Sequence, residues 1–198
     1  MFPAAKAGRV SHAHRADGPG LTLRENGPAL LVPAAWGVAA GAVLGAVSLH
    51  ALFVAHVVMS VLLVTFVAAS WRDMATGVLR AWKLAILAGT PVTLAGVAGF
   101  LARDGTGVAA AFPTPLPADS LLAVAFYGWM LLPAPALVYT GLRDPAVPRS
   151  TVHHVAAACS VAGAAVAALA GSPTGTVWGI ALVGTGQTAG ILAATALY

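Results

Sequence analysis

Residues 29–70 read ALLVPAAWGVAAGAVLGAVSLHALFVAHVVMSVLLVTFVAAS, and these 42 positions contain no Asp, Glu, Lys or Arg. A helix rises ~1.5 Å per residue and the hydrocarbon core of a bilayer is ~30 Å thick, so one crossing takes about 20 residues. The stretch is about twice that length, which predicts that it folds back on itself once. Its least apolar point is Ser48-Leu49-His50, and we place a tight turn near residues 46–50.

The composition of the whole 198-residue chain is also that of a membrane protein. Apolar residues make up 59% and charged residues 8%, whereas about a quarter of the residues in a soluble domain are charged. So few polar side chains cannot cover a soluble globule, which excludes a soluble enzyme, a nucleic-acid-binding protein and a disordered chain. The single cysteine, Cys159, excludes an intramolecular disulfide and a cysteine metal cluster.

Charges and clusters of Pro and Gly divide the rest of the chain. Residues 1–28 hold four of the ten basic residues and no apolar run, which predicts a polar basic N-terminal tail. Residues 29–198 are predicted to form one all-α domain, a polytopic membrane bundle with short loops and six spans at 29–46, 51–71, 80–102, 120–141, 150–170 and 176–197. Pro133 and Pro135 predict a kink in the fourth span, and Ser150 or Thr151 is expected to cap the fifth.

The basic residues predict how this bundle is oriented, because cytoplasmic loops carry the excess of Lys and Arg. With six spans, nine of the ten basic residues lie on one side and Arg103 alone lies on the other. With one long first helix, the basic residues would divide five and five. We therefore predict a multi-pass protein of a prokaryotic-type cytoplasmic membrane, with the N- and C-termini in the cytoplasm.

Small residues at four-residue spacing predict where helices pack closely in lipid. The first span carries Gly37, Gly41 and Gly45, and the sixth carries Gly186 and Gly190. The first set fits intramolecular packing on the second or sixth span. It also fits a contact with another membrane subunit or a second copy of the chain, which gives a homo-oligomer.

No Asp, Glu, Lys or Arg lies in the middle of any predicted span, which disfavours ion-coupled transport. The polar intramembrane residues singled out are Gln187, Tyr127 and Ser60. Gln187 lies near the centre of the sixth span between glycines, and we expect it to form an interhelical hydrogen bond.

A histidine in the second span, His56, raises the possibility of a b-type haem. The other candidate ligands at its level are His50, Met59 and Met130. His153 and His154 lie at the opposite membrane face, at least ~15 Å from the level of His56, so they cannot share one iron with it. The alternative is a buried, hydrogen-bonded histidine.

Four residues, His153, His154, Arg143 and Arg149, are predicted to form a basic cytoplasmic rim. Attraction to anionic lipid headgroups explains such a rim. The alternatives are a transition-metal site shared with the tail and the docking of a soluble partner.

Together these features favour a small non-enzymatic membrane protein, an accessory or structural subunit of a larger membrane complex. Its partners would be the lipid bilayer and other membrane subunits or further copies of itself. One alternative is a haem b or quinone-associated redox protein that uses His56. A second is a facilitative channel or transporter for a small neutral molecule that uses the kinked fourth span and Gln187.

Overall fold

The computed structural model describes residues 19–104 and 116–195, and every regular element within these two ranges is an α-helix. The helices are α1 (Pro19–Val43), α2 (Leu49–Ser70), α3 (Gly77–Asp104), α4 (Ala118–Leu131), α5 (Pro133–Arg143), α6 (Val147–Leu169) and α7 (Pro173–Thr195).

Five of the described segments are long and apolar enough to cross a membrane. They are α2, α3, the combined α4–α5 segment Ala118–Arg143, α6 and α7, and a shorter apolar helix, Leu30–Val43, forms the second part of α1. The prediction of an all-α, membrane-embedded protein is therefore confirmed.

The predicted reversal of the chain occupies residues 44–48, between α1 and α2. Gly45 has a φ of +75°, a left-handed conformation that glycine adopts without steric cost. Ser48 then caps α2, because its Oγ accepts a hydrogen bond of 3.2 Å from the Ala51 amide.

The start of α1 differs from the sequence expectation. The helix begins at Pro19, ten residues before the predicted span. Proline suits the first turn of a helix, because the donor it lacks would have no helical acceptor there. The final part of the predicted polar tail, residues 19–28, is therefore helical in its backbone. Residues 1–18 lie outside the described part of the chain.

The predicted interruption of the fourth span lies at Leu132, between α4 and α5. Leu132 keeps helical dihedral angles, and its amide donates to the Gly128 carbonyl at 2.8 Å. Pro133, the next residue, has no amide hydrogen for the Trp129 carbonyl. Pro135 likewise has no amide hydrogen for the Leu131 carbonyl, so the segment lacks two helical donors near its centre.

The predicted cap of the fifth span is wrong. Helix α6 begins at Val147, before both proposed caps, with Pro148 in its first turn. The Ser150 hydroxyl donates to the Gly141 carbonyl, and the Thr151 hydroxyl donates to the Val147 carbonyl of its own helix. Pro148 has no amide hydrogen, so it leaves no unpaired donor in the first turn. The helix can therefore begin before Ser150 and Thr151, the two residues that the sequence indicated as caps.

The pair of helices in most extensive contact is α6 with α7. At the centre of this pair, a Cβ atom on Gly163 would lie 2.6 Å from the Gly179 carbonyl oxygen. Helix α1 packs on α7, α2 packs on α3, and α3 packs on α4. Arg103 and Asp119 mark one end of the bundle, called the Asp119 end, and Asp144 marks the other, called the Asp144 end.

Candidate functional site: the Gln187 junction and the Asp144 corner

Gln187 joins four helices in the interior of the bundle. Its Nε2 lies 3.2 Å from the Trp129 carbonyl, 3.3 Å from the Met130 carbonyl and 3.3 Å from Ser160 Oγ. Its Oε1 accepts a 3.0 Å hydrogen bond from Trp36 Nε1. Because an indole nitrogen can only donate, this contact fixes which end of the amide carries the oxygen. We call these five residues the Gln187 junction.

The junction supplies a donor for a carbonyl that Pro133 leaves unpaired in the α4–α5 segment. In an unbroken helix, residue 133 would donate its amide hydrogen to the carbonyl of Trp129. Pro133 has no such hydrogen, and the side chain of Gln187 donates instead. The freed carbonyl is thus satisfied by a neighbouring helix, as lipid-embedded backbone requires.

Trp36 reaches Gln187 because the facing residue of α7 is a glycine. A Cβ atom on Gly184 would lie 3.1 Å from Trp36 Cβ, so any larger residue there would push α1 away. The ring of Trp36 also meets Phe126 of α4 edge to face, with 6.5 Å between the ring centroids. Helix α1 is therefore fixed to both α7 and α4 at this level.

The side-chain amide of Gln187 is engaged at both ends by its protein neighbours. The residue is 4% exposed, and both ends of its amide are hydrogen-bonded. A group in this state holds helices together, as the sequence indicated for Gln187.

A second polar cluster, the Asp144 corner, lies between α5 and α6 and consists of Asp144, Arg149 and His153. Arg149 donates to Asp144 through Nε at 3.1 Å and through a second guanidinium nitrogen at 3.3 Å. The Ala146 amide donates to the same carboxylate at 2.9 Å. The Asp144 carboxylate therefore links the end of α5 to the start of α6 through the Ala146 amide and the Arg149 side chain.

These contacts favour the ionised form of Asp144. The hydrogen bond from Arg149 lowers the pKa of the Asp144 carboxyl below its ordinary value, and the Ala146 amide and the charge of Arg149 act in the same direction. Burial of the carboxyl opposes them and raises the pKa. The net effect is a lowered pKa, so Asp144 is an anion at neutral pH.

His153 completes the corner without a full hydrogen bond. Its side chain is completely buried, and its Nε2 lies 3.7 Å from Asp144 Oδ2, beyond hydrogen-bond range. Within the described residues, neither ring nitrogen has a hydrogen-bond partner. The sequence placed His153 on an exposed rim, but α6 turns this side chain inward.

The other three predicted rim residues have different surroundings. Arg149 is neutralised by Asp144, as above. Arg143 is exposed, and its guanidinium carbon lies 5.2 Å from the centre of the Tyr139 ring. His154 packs over Gly141, and its Nδ1 lies 2.7 Å from the Ser150 carbonyl.

His56 lies on the side of α2 that faces α3. Its Nδ1 lies 2.9 Å from the Leu52 carbonyl, which makes Nδ1 the donor. Its ring meets Phe100 edge to face at 5.2 Å, and a Cβ atom on Gly96 would lie 2.3 Å from its Cδ2. Gly96 therefore makes the room that the imidazole occupies.

The other candidate haem ligands are not gathered around His56 by any described contact. Met130 is fully buried in the core formed with Ala164, Ile180 and Val183. His50 stacks obliquely near Phe53 of its own helix, and Met59 is half-buried on α2. Among the described residues, no three His, Cys, Asp or Glu side chains converge on a common point.

The remaining polar candidates act within the protein. Ser60 Oγ donates to the His56 carbonyl one turn earlier in α2. Tyr127 packs against the main core cluster and meets Phe126 edge to face. Neither side chain points to a separate site.

The five glycines singled out from the sequence fall into two groups. A Cβ atom on Gly186 would lie 2.5 Å from Cys159 Cβ, and one on Gly190 would lie 2.5 Å from Leu137 Cδ2, so both lie in helix contacts. Gly37 and Gly45 have no atom within 4 Å of such a Cβ, and Gly41 meets only Val47 of the following turn. The stripe on α1 therefore faces away from the described bundle.

Three residues that organise these sites were not singled out from the sequence. Asp144 marked only a span boundary, although an Asp-Pro pair followed five positions later by Arg is a local signal for such a corner. Trp36 and Trp129 reach their partners through tertiary packing, and Trp129 Nε1 also donates to Thr93 at 2.9 Å. No sequence pattern indicates those partners.

Comparison with known proteins finds no match: no protein-family model matches the sequence, and neither a curated protein nor a solved structure is similar to it.

Proposed function

We propose that this chain is a six-span protein of a prokaryotic-type cytoplasmic membrane, with both termini in the cytoplasm. It acts as a non-enzymatic accessory or structural subunit of a larger membrane assembly. The observation that carries this proposal is a contrast between two sets of residues. The interior side chains of Trp36, Ser160 and Gln187 join helices by hydrogen bonds, while no described residue lies against the Gly37 face of α1.

The position of Trp36 supports a sixth crossing by α1. Trp36 is hydrogen-bonded to Gln187, which lies in the interior of α7, a helix long enough to span the bilayer. The apolar part of α1 alone, 14 residues, gives ~21 Å, but the whole 25-residue helix gives ~37 Å. The nine-to-one distribution of basic residues supports the same topology.

Cysteine labelling in sealed cells tests the topology, in a chain whose native cysteine is replaced by Cys159→Ala. Ala46→Cys in the first turn should react with an impermeant reagent from outside. Ala75→Cys in the α2–α3 connection, and Ala4→Cys near the N-terminus, should react only after the cells are opened. If Ala4→Cys and Ala46→Cys react from the same side, α1 does not cross.

Exposure of α1 and α2 supports the role of a subunit. Only 6% of the apolar window of α2 is buried within the chain. Helix α1 contacts α2 at few residues. Gly37 lets another backbone approach closely, which is how helices associate in lipid. The partner is another membrane subunit or a second copy of this chain.

Site-specific photocrosslinking in the source cell membrane tests this role. A photoreactive residue at Gly37 should give a discrete protein adduct. The same residue at Val155, an exposed position on α6, should react with lipid alone. Equal behaviour of the two positions would refute the proposed interface.

The two alternative functions have no comparable support in the described side chains. The contacts of His56 are Leu52, Gly96 and Phe100 rather than a second ligand. The amide of Gln187 is engaged by Trp36 and α4.

A further inference from the structure

An open apolar groove of about 730 Å³ runs along the outer surface between α5 and α6. One wall carries Leu131, Val138 and Leu142, and the other carries Ala157, Ala158 and Val161. The small side chains on α6 give the groove its depth. Exposed residues on both walls, among them Leu142 and Val161, place it on the lipid-facing side of the bundle.

The length of the groove matches one leaflet of a bilayer. From Leu131 to Leu142 the chain advances eleven helical residues, which correspond to ~17 Å. One leaflet contributes about half of the ~30 Å hydrocarbon core. The groove therefore runs from near the centre of the membrane to its surface at the Asp144 end.

The surface end of the groove carries a cation, Arg143, that has no counter-ion within the described part of the chain. Arg149 is paired with Asp144 and Arg103 with Asp119, but among the described residues no carboxylate lies within 4 Å of Arg143. The guanidinium of Arg143 instead lies against the ring of Tyr139, which itself lines the groove. The ring holds the cation at the mouth of the groove.

His154 and Gly141 keep this mouth open. His154 lines the groove, and its Nδ1 is engaged by the Ser150 carbonyl. A Cβ atom on residue 141 would lie 2.6 Å from Cε1 of this ring, so only glycine leaves the imidazole in place.

We propose that this groove binds one anionic phospholipid, with an acyl chain between α5 and α6 and the headgroup phosphate at Arg143. The match to one leaflet selects a lipid rather than a helix, which would span both leaflets, and the Arg143 cation at the surface end selects an anionic headgroup. A guanidinium binds phosphate oxygens through paired hydrogen bonds. A zwitterionic headgroup also carries a phosphate, but its own cation competes with Arg143 for that phosphate.

The full chain purified in detergent tests this site by thermal unfolding. Phosphatidylglycerol should raise the unfolding temperature of the wild type by several degrees more than phosphatidylcholine with the same acyl chains. Arg143→Gln should remove most of this difference. Arg103→Gln, which deletes a cation at the opposite end, should keep it.

A second variant tests the acyl-chain part of the site without changing charge. Ala158 is exposed in the groove wall, so Ala158→Leu fills the groove without disturbing the core. It should lower the number of phosphatidylglycerol molecules retained in native mass spectrometry, while Ala165→Leu, at an exposed position of α6 outside the groove, should not.

Four results would overturn the proposal. The first is an equal response of the wild type to both lipids. The second is a full response in Arg143→Gln or Ala158→Leu. The third is an equal shift with inorganic phosphate alone, which would assign a free-anion site. The fourth is a protein dimer that forms through this groove, which would assign the groove to a second copy of the chain. Crosslinks between two copies that are lost in Ala158→Leu would reveal such a dimer.

Discussion

The side-chain amide of Gln187 donates, at 3.2 Å, to the backbone carbonyl of Trp129, the acceptor that Pro133 leaves without a helical donor. A proline between α4 and α5 and a glutamine in α7 thus act as one unit. In lipid an unpaired carbonyl has no water to bind, so the glutamine stabilises a helix that the proline would otherwise weaken.

Replacement of the glutamine should destabilise the protein. Gln187→Leu leaves Trp36 Nε1 and the Trp129 carbonyl unpaired, and we expect a loss of about 1–3 kcal/mol in the free energy of unfolding. Thr188→Val is the matched control, since the Thr188 hydroxyl is buried with no hydrogen-bond partner among the described residues, and it should be neutral or stabilising. Denaturant titration in mixed micelles measures both, and equal losses would contradict the role of the junction.

The proline and the glutamine should be energetically coupled. In Pro133→Ala the new amide hydrogen can donate to the Trp129 carbonyl, so Gln187→Leu should cost less in that background than in the wild type. A double-mutant cycle measures the difference, and we expect a coupling of about 0.5–2 kcal/mol. Additive effects within ~0.3 kcal/mol would show that the carbonyl does not depend on Gln187.

Acid should weaken the Asp144 corner. The pKa of Asp144 is lowered in the folded state, chiefly by the hydrogen bond from Arg149. The stability it contributes is therefore fully present above the unfolded-state pKa of about 3.9, and it is lost as pH falls through the lower folded-state value. We expect Asp144→Asn to be less stable than the wild type at pH 7 and the gap to close below about pH 4.

Unfolding curves between pH 7 and pH 2.5 test this expectation. Asp119→Asn is the control, since Asp119 is exposed at the other end of the bundle. A difference in stability between Asp144→Asn and the wild type that stays constant down to pH 2.5 would contradict the assignment of the pH dependence to Asp144.

The buried imidazole of His153 should be replaceable by an apolar side chain of similar size. Its ring nitrogens have no hydrogen-bond partner among the described residues, so His153→Leu loses no hydrogen bond and removes a buried polar group. We expect a change within about 1.5 kcal/mol of zero. His153→Ala, which opens a cavity, should cost about 2 kcal/mol or more. A large loss in His153→Leu would reveal a partner for the ring.

The glycine stripe of α1 should affect association at one position in particular. Gly37→Leu should lower the oligomeric mass measured by light scattering, because a side chain there fills the space left for a partner backbone. Val38→Leu is the control on an adjacent exposed position. Gly41 and Ala40 are poorer choices, because Gly41 meets Val47 and Ala40 packs against the core.

Much of the helical pattern could be predicted from the sequence, because a bilayer imposes a length and an apolar composition on each crossing. The reversal near residue 48 and the interruption at Pro133 were both indicated by local chemistry. The cap of α6 was misjudged, because a proline in the first turn let the helix start before the hydroxyl residues.

For the Gln187 junction, the sequence indicated the central residue but not its partners. A glutamine flanked by glycines in the middle of an apolar span indicates an interhelical hydrogen bond, since nothing else in lipid can satisfy its amide. Its partners, Trp36 and Trp129, lie 151 and 58 positions away, and no local pattern encodes such pairings.

The sequence by itself determined that the chain is helical and membrane-embedded, and where the chain turns between helices. Those properties follow from runs of apolar residues and from the positions of proline, glycine and charged residues. Only the tertiary structure decided which face of each helix is covered. It turned His153 inward, paired Asp144 with Arg149, and left Gly37 without a neighbour and Arg143 without a carboxylate partner among the described residues. In an apolar helix with little amphipathic pattern, lipid and protein are equally good neighbours for most side chains, so close steric fit between particular glycines and their partners selects the packing.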